Sequence, residues 1–224
     1  MKSLLTLFCT CFWAFAGIFA QNRPVLYPEP TSIQYGQGEL LLQNLSLYVA
    51  PTASKDLVFA LNELKQTIRE RSGKALKMAN TTHTASIRFT VKTPGRELPE
   101  TNEAQPGSMR EQYSLSINAK GVEIIAQTSA GLYYAVQTIR QLIQGSGAKA
   151  ALPFVTIQDR PQLAFRGVMM DFAHGGLLTI EEIKKQIDFL ARWKTNQYYF
   201  YNEVSIELDG YATLNYKASY TQDQ

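Results

Sequence analysis

The sequence predicts a fold in two parts: a β-rich α+β domain over residues 22–158, then a strand–helix–strand unit over residues 162–224. Two observations lead to this prediction. In the first part, alternating strand patterns are interrupted by two helical stripes of apolar residues, as is typical of α+β domains. After residue 160, both strand patterns are apolar without polar alternation, which indicates strands of a parallel sheet buried on both faces.

Length and composition limit what the chain can be. At 224 residues it is too short for an accessory domain plus a complete (β/α)8 barrel, since the barrel alone needs about 250 residues. Hydrophobic residues make up 45% and charged residues 18%, which provides for a sizeable core and argues against disorder. The net charge of +3 is small and scattered, so we expect no nucleic-acid partner.

The N-terminus has the features of a secretory signal peptide over residues 1–20. Lys2 supplies a short positive segment, an apolar run follows over residues 4–19, and small residues lead to a cleavage site after Ala20. The run is shorter than the roughly 20 residues needed to span a bilayer, so we expect no stable membrane insertion after cleavage. The prediction is export to the periplasm, cell envelope or exterior of a bacterial cell.

Cysteine and histidine are scarce in the predicted mature chain. Cys9 and Cys11 are the two cysteines, and both lie within the signal peptide. The mature chain would therefore have no disulfide and no thiolate metal ligand. With only His83 and His174 besides, we expect neither a metal centre nor a cofactor.

The first elements of the α+β part follow from apolar spacing. Residues 39–49 alternate loosely, which predicts a strand pair that turns around Asn44. A helix is predicted next, capped by Ser54 and ended by Gly73. Its apolar stripe falls at positions i, i+4, i+7 and i+11: Leu57, Leu61, Leu64 and Ile68.

The remaining elements of this part are predicted in the same way. Residues 85–92 alternate as a strand, and residues 113–117 and 122–127 form a hairpin around a turn. Residues 128–143 have helical spacing throughout, with Thr or Ser available as the cap. A last strand over residues 153–158 completes the domain.

The second part has the pattern of a βαβ unit. An apolar strand over residues 163–171 is followed by a capping box, with Thr179 as the cap and Glu182 three residues later. The helix that follows buries one apolar stripe: Ile180, Ile183, Ile187 and Leu190. A second strand spans residues 196–202. Because a lone βαβ unit cannot bury both faces of its sheet, we expect a fragment, or a unit that pairs with another body.

Three stretches together resemble a known family. They are GLYYAVQTIRQL at residues 131–142, PQLAFRGVMMD at residues 161–171, and residues 179–196, which end in RWKTN. In this order and spacing the chain is similar to glycoside hydrolase family 20, the β-N-acetylhexosaminidases. The resemblance implies an accessory α+β domain (a β-sheet with two helices) and the start of a (β/α)8 TIM barrel, incomplete in this chain.

The resemblance also implies a chemistry. Such enzymes remove terminal β-linked N-acetylhexosamine from glycans with retention, and the 2-acetamido oxygen of the substrate serves as nucleophile. An adjacent Asp–Glu pair after the fourth barrel strand orients the acetamido group and acts as general acid and base. This sequence ends after the second barrel strand, so we expect that pair to be absent and residues 1–224 to be inactive alone.

The resemblance and the strand ends together give candidate substrate-binding residues. Arg166 matches an arginine that binds sugar hydroxyls, and the alternative is a structural arginine paired with a carboxylate. Asp171 and His174 follow the first barrel strand, at the edge where barrel enzymes bind their substrates. The alternatives for these two are a loop-capping aspartate and an ordinary surface histidine. In a regular strand, Arg166 and Asp171 would point to opposite faces.

The aromatic strand YYFY at residues 198–201 supplies the other candidates. Tyr201, Asn202 and Glu203 lie at its C-terminal end, where an aromatic ring and two polar groups could contact a sugar. Plain core packing of the aromatic residues is the alternative. Many family members carry a His-aromatic-His then acidic pattern after this strand, and this chain departs from it, which leans toward related acetamido-sugar hydrolases.

Two other functions stay open on the sequence. One is a non-catalytic carbohydrate-binding or interaction module. The other is a glycosidase for a related acetamido sugar or a uronic acid that shares the accessory domain. Further βα units and an Asp–Glu pair downstream would favour the hexosaminidase.

Overall fold

The computed structural model describes residues 23–49, 55–92, 109–174, 176–203, 206–215 and 219–223. The predicted signal peptide and Ser54, the predicted helix cap, lie outside these residues. Among the helices that are described, none has both the length and the apolar character needed to cross a membrane.

The described residues form three α-helices and nine strands. In chain order these are β1 (Ser32–Leu41), β2 (Ser46–Leu47), α1 (Lys55–Ser72), β3 (Lys77–Met78), β4 (Ile87–Val91), β5 (Tyr113–Asn118), β6 (Gly121–Ala126), α2 (Ser129–Leu142), β7 (Ala151–Asp159), β8 (Gly167–Asp171), α3 (Ile180–Ala191) and β9 (Gln197–Tyr201).

Strands β1 to β7 form one mixed sheet in the order β1-β7-β5-β6-β4-β2-β3. The pairs β1–β7, β7–β5 and β5–β6 are antiparallel, while β6–β4, β4–β2 and β2–β3 are parallel. Leu115, Ile117 and Ile124 of the β5–β6 hairpin are buried, whereas Glu123 and Ile125 between them are exposed. One face of the sheet therefore carries the core, and α1 and α2 pack on that face.

The two predicted helices of this part are confirmed. The stripe of α1 is buried as its spacing predicts, from Leu57 to Ile68. Helix α2 is capped by Thr128, whose hydroxyl oxygen accepts from the backbone N–H of Ala130 at 3.2 Å. At Gly131 a Cβ would lie 2.7 Å from the carbonyl oxygen of Gln112, so only glycine allows α2 to approach the sheet this closely.

The predicted strand pair around Asn44 is wrong. Residues Leu42–Asn44 form a 3-10 turn, and Leu42, its first residue, and Leu45, which follows it, are buried in the core. The turn sends the chain across the sheet, so β1 pairs with β7 while β2 pairs with β3 and β4. Burial of the two leucines, rather than a local hairpin, decides the pairing.

Strands β8 and β9 are parallel and are connected by α3, which confirms the predicted βαβ unit. The register runs from Gly167 opposite Gln197 to Asp171 opposite Tyr201. Strand β8 begins at Gly167, four residues later than predicted. The Thr179 hydroxyl oxygen accepts from the backbone N–H of Glu182 at 3.2 Å, so Thr179 caps α3 as predicted.

The aromatic strand β9 divides its side chains between two faces. On the α3 side, the Tyr198 hydroxyl donates to Oε1 of Gln186 at 2.6 Å, and Phe200 stacks on Phe172 with ring centroids 5.4 Å apart. Tyr199 and Tyr201 point to the other face and are exposed. Packing therefore accounts for Tyr198, which is half-buried, whereas Phe200 is 46% exposed despite its contact with Phe172.

Candidate functional site

The C-terminal end of β8 holds a hydrogen-bonded pair, Asp171 and His174. Oδ1 of Asp171 accepts from the backbone N–H of Ala173 at 2.8 Å and from that of His174 at 3.2 Å, so the carboxylate shapes the turn. Oδ2 of Asp171 lies 2.9 Å from Nδ1 of the His174 ring. The side chains are 48% and 69% exposed, respectively, so the pair is open to a ligand.

Tyr201 and Glu203, at the end of β9, complete this group. The Tyr201 ring stacks on the His174 ring with centroids 6.1 Å apart and planes 9° from parallel. The Tyr201 hydroxyl donates to Oε1 of Glu203 at 3.2 Å. Asn202 lies between them in the chain and is half-buried. We call Asp171, His174, Tyr201 and Glu203 the edge cluster.

Proton affinities in the edge cluster follow from these contacts. The hydrogen bond to Asp171, reinforced by the negative charges of Asp171 and Glu203, raises the pKa of His174 above its ordinary value. The hydrogen bond from His174, together with that from the backbone of Ala173, lowers the pKa of Asp171. The pair is therefore an imidazolium–carboxylate over a wider pH range than two isolated side chains would allow.

The N-terminal end of β8 has a different arrangement, centred on Arg166. Its Nη2 lies 2.5 Å from Oε2 of Glu111, whose side chain is 1% exposed. Its Nε donates to the carbonyl oxygen of Lys194 at 2.8 Å, and its Nη1 donates to that of Leu163 at 2.7 Å. The guanidinium also lies over the Tyr134 ring, 5.5 Å from its centroid. Nη2 therefore reaches the α+β part, while Nε and Nη1 bind carbonyl oxygens of the βαβ part.

Asn196, just before β9, ties the same carboxylate to both strands of the βαβ unit. Its Nδ2 donates to Oε1 of Glu111 at 3.1 Å and to the carbonyl oxygen of Ala164 at 2.8 Å. Its Oδ1 accepts from the backbone N–H of Arg166 at 2.9 Å. Both oxygens of the buried Glu111 carboxylate are therefore satisfied by residues of the βαβ unit.

A second buried ion pair lies beside the first. Nζ of Lys194 donates to Oδ2 of Asp159 at 2.7 Å and to the Tyr113 hydroxyl oxygen at 3.0 Å. The Tyr113 hydroxyl in turn donates to Oδ2 of Asp159 at 2.8 Å. Burial lowers the pKa of Lys194 and raises that of Tyr113. We call Glu111, Tyr113, Asp159, Arg166, Lys194 and Asn196 the junction cluster.

A cavity of about 400 Å³ adjoins the junction cluster. Glu111, Tyr113 and Asp159 line it from the α+β part, and Arg166 and Lys194 line it from the βαβ unit. Among its charged side chains, Glu111 pairs with Arg166 and Asp159 pairs with Lys194 across the junction. Within the described residues, no group of three or more His, Cys, Asp or Glu side chains could hold a metal ion.

The match to a known protein family covers the α+β part of the chain. The sequence model of glycosyl hydrolase family 20, domain 2, matches residues 23–160. The chain belongs to glycoside hydrolase family 20. This family was the one expected from the three stretches quoted from the sequence, so that prediction is confirmed.

Several β-hexosaminidases are similar in sequence. A β-hexosaminidase of Porphyromonas gingivalis is 35% identical over 98 residues, which is 41% of this chain and 12% of that protein. A β-N-acetylhexosaminidase of Cellulomonas fimi is 34% identical over 87 residues, which is 38% of this chain and 17% of that protein. The matches thus span a small part of these relatives.

Solved family 20 structures share the fold over most of the chain. A chitobiase of Flavobacterium johnsoniae superposes with a TM-score of 0.72 at 20% identity, covering 88% of this chain and 31% of that one. A Streptomyces plicatus N-acetyl-β-hexosaminidase gives a TM-score of 0.66 at 25% identity, covering 85% and 38%. The shared region includes a mixed sheet and three helices in this family 20 chain.

The predicted site residues fall into two places. Asp171, His174, Tyr201 and Glu203 come together in the edge cluster, with Asn202 beside them. Arg166 lies at the other end of β8. Five residues of extended chain place its backbone roughly 16 Å from that of Asp171. Arg166 precedes the first residue of β8. The alternation of side chains between the two faces of the strand begins at Gly167, so it does not force Arg166 and Asp171 onto opposite faces. Substrate binding by all six residues stays a prediction.

Sequence reasoning missed most of the junction cluster. Glu111, Lys194 and Asn196 stand in polar surroundings and look like surface residues in the sequence. One signal was present: Arg166, Lys194 and Asn196 all come directly before a strand of the βαβ unit. Because the starts of parallel strands meet at one edge of a sheet, these residues could have been placed together.

Proposed function

We propose that the chain is the N-terminal part of an exported β-N-acetylhexosaminidase-like glycoside hydrolase. The observation that supports this most is the junction cluster, which fixes a family 20 domain 2 to a parallel βαβ unit through two buried ion pairs. A βαβ unit held so firmly is suited to begin a larger catalytic body. The chain covers less than two thirds of its relatives, so the activity of the whole protein is part of the proposal.

We propose in particular that β8, α3 and β9 begin a (β/α)8 barrel. Parallel strands are normally covered on both faces, yet Met169 and Tyr199 on one face of this sheet are 68% and 52% exposed. Phe189 and Trp193 are likewise exposed at α3 and just after it. Apolar surface of this extent calls for covering structure. Further strands and helices of a barrel would supply it from residues outside this chain.

The proposed chemistry is substrate-assisted hydrolysis of a terminal β-linked N-acetylhexosamine. The acetamido oxygen of the substrate attacks the anomeric carbon, and an Asp–Glu pair outside residues 1–224 orients it and moves the proton. The edge cluster and Asn202 lie at the C-terminal end of the strands, where barrel enzymes bind substrate. A Streptomyces plicatus β-hexosaminidase has been solved with the product GlcNAc, and its chain superposes with a TM-score of 0.67 at 24% identity.

For Arg166 the geometry favours the structural alternative over sugar binding. Its donors are occupied by Glu111, Lys194 and Leu163, all at the junction. A sugar at the C-terminal edge would lie at the far end of β8. We therefore propose that Arg166 joins the two parts and that the edge cluster contacts the sugar.

The decisive experiment is expression of the whole reading frame that contains these codons, beside residues 23–224 alone. We expect the longer product to hydrolyse 4-nitrophenyl N-acetyl-β-glucosaminide and the product of residues 23–224 to be inactive. Hydrolysis of the matched 4-nitrophenyl β-glucuronide instead would favour the uronic-acid glycosidase. Saturable binding of N-acetylglucosamine oligomers without hydrolysis of either substrate would favour a non-catalytic module.

Export has a test of its own. Expressed with its native N-terminus in a bacterial host, the protein should be recovered outside the cytoplasm with Gln21 as its first residue. A cytoplasmic product that retains Met1 would contradict the predicted signal peptide.

A further inference from the structure

The Asp171–His174 contact fixes which nitrogen of the imidazole changes its protonation. A carboxylate can only accept hydrogen bonds, so the bond between Oδ2 of Asp171 and Nδ1 of His174 places a proton on Nδ1. That proton stays in place whether the ring is neutral or cationic. The proton that is gained or lost with pH is therefore the one on Nε2.

The Nε2 atom of His174 is free to meet a ligand. It has no hydrogen-bond partner within the described residues, and the side chain is largely exposed. When protonated, Nε2 is a hydrogen-bond donor; when deprotonated, it is an acceptor. Its role toward a ligand thus reverses at the pKa of His174.

Tyr201 restrains the same ring from a second direction. Stacking within 9° of parallel holds the plane of the imidazole, while the bond to Asp171 holds its rotation in that plane. The Tyr201 hydroxyl donates to Glu203, which raises the pKa of Tyr201 and keeps it a neutral donor. One tyrosine therefore orients two polar groups.

We propose that His174 is the ligand-contacting group of this edge, and that Asp171 and Tyr201 are positioning residues that hold its Nε2–H outward to bind an acceptor oxygen of a neutral sugar. The identity of the ligand rests on the proposed function. The arrangement of the ring does not, because it follows from contacts within the chain.

The charges of the edge cluster support a neutral ligand. The ionisable groups that face His174 are Asp171 from β8, Tyr201 from β9 and Glu203, which follows β9 by two residues. Two carboxylates and one imidazolium leave one net negative charge, which repels the carboxylate of a uronic acid. An N-acetylhexosamine carries no such charge and offers hydroxyl and carbonyl oxygens as acceptors.

The first test is a proton NMR titration of the two histidines of the whole chain. His83 is exposed and far along the chain, so its titration curve is the internal control. We expect Asp171→Asn to lower the pKa of His174 and to leave the His83 curve unmoved. An unchanged His174 titration in Asp171→Asn would overturn the positioning role of Asp171.

The second test separates the ring of Tyr201 from its hydroxyl. Stacking should displace the His174 ring protons upfield by the ring current of the tyrosine. Tyr201→Phe keeps the ring and should keep this displacement, whereas Tyr201→Leu should abolish it. If the displacement survives in Tyr201→Leu, Tyr201 does not position His174.

The third test uses N-acetylglucosamine as the probe, with glucuronic acid as the matched acidic sugar. We expect saturable shifts of the His174 signals with N-acetylglucosamine, and affinity that falls as pH rises through the pKa of His174, because Nε2 then loses the proton that it donates. Absence of any N-acetylglucosamine response, or an equal response to glucuronic acid, would overturn this inference while leaving hydrolysis by the longer product unaffected. Failure of that hydrolysis would remove the proposed function and leave the first two tests standing.

Discussion

The two ends of β8 carry ion pairs of similar chemistry in opposite surroundings. At the N-terminal end, Arg166 binds a carboxylate whose side chain is almost fully buried, and further hydrogen bonds satisfy both partners. At the C-terminal end, Asp171 binds His174 in the open. Five residues separate a largely buried junction from an edge that is accessible to solvent.

The two ends of β8 differ in what their ion pairs can do. A buried charge without its partner is very costly, so the junction cluster holds the two parts in one arrangement. An exposed pair contributes little to stability, because water screens it and competes for its hydrogen bonds. The edge cluster is therefore free to exchange water for a ligand, and the junction cluster is not.

The largest expected effect is that of Arg166→Ala. The substitution leaves the Glu111 carboxylate buried without its strongest partner, and we expect the free energy of unfolding to fall by about 3–5 kcal/mol. Denaturant unfolding of residues 23–224 measures this. Arg160→Ala is the matched control, because Arg160 is exposed and its loss should cost less than about 0.5 kcal/mol.

This experiment also decides between the two roles of Arg166. If Arg166→Ala unfolds at the same denaturant concentration as Arg160→Ala, the junction role is wrong. If that stable variant also loses turnover in the longer product, the sugar-binding role implied by the family resemblance gains support.

Asp159→Asn should have a smaller effect that depends on pH. Without the carboxylate, Lys194 keeps only Tyr113 as a side-chain partner, and a loss of about 2–4 kcal/mol is expected near neutral pH. Burial already lowers the pKa of Lys194 below its unfolded value, and the substitution removes the charge that opposes this shift. The loss should therefore be full below the folded pKa and shrink as pH rises through it.

The pH dependence supplies the control for this second prediction. Unfolding of Asp159→Asn and the unsubstituted protein would be compared at neutral and alkaline pH. A penalty that does not shrink as Lys194 loses its proton would mean that packing, rather than the unpaired charge, causes the loss.

The smallest expected effect is that of Asp171→Asn on stability. The pair is exposed, so the denaturation midpoint should hardly move. Because the folded pKa of His174 is raised, any contribution is present below the unfolded pKa of about 6.5 and is lost as pH rises through the folded pKa. A large loss of stability in Asp171→Asn would contradict the proposed difference between the two ends of β8.

The sequence was informative where structure is decided locally. The stripe of α1, the β5–β6 hairpin and the cap at Thr179 depend on side chains within one turn or one strand pair, and each was predicted. The pairing of β1 with β7 was not, because it joins residues more than 100 positions apart. No local pattern distinguishes that partner from a neighbouring strand.

The candidate site divides in the same way. Most of the edge cluster was predicted, because the ends of consecutive parallel strands meet at one edge and its polar residues follow those strands directly. The junction cluster depends on burial, and Glu111 has no feature in the sequence that separates it from a solvated charge. Only the packing of the two parts against each other removes these charges from water.

The order of the junction residues along the chain has a consequence for synthesis. Glu111 precedes Arg166 by 55 residues, and Asp159 precedes Lys194 by 35. At about 5–20 residues per second, the ribosome adds Arg166 roughly 3–11 s after Glu111. Asp159 also precedes Arg166, so both carboxylates of the junction cluster are synthesised before either of the cations that pair with them.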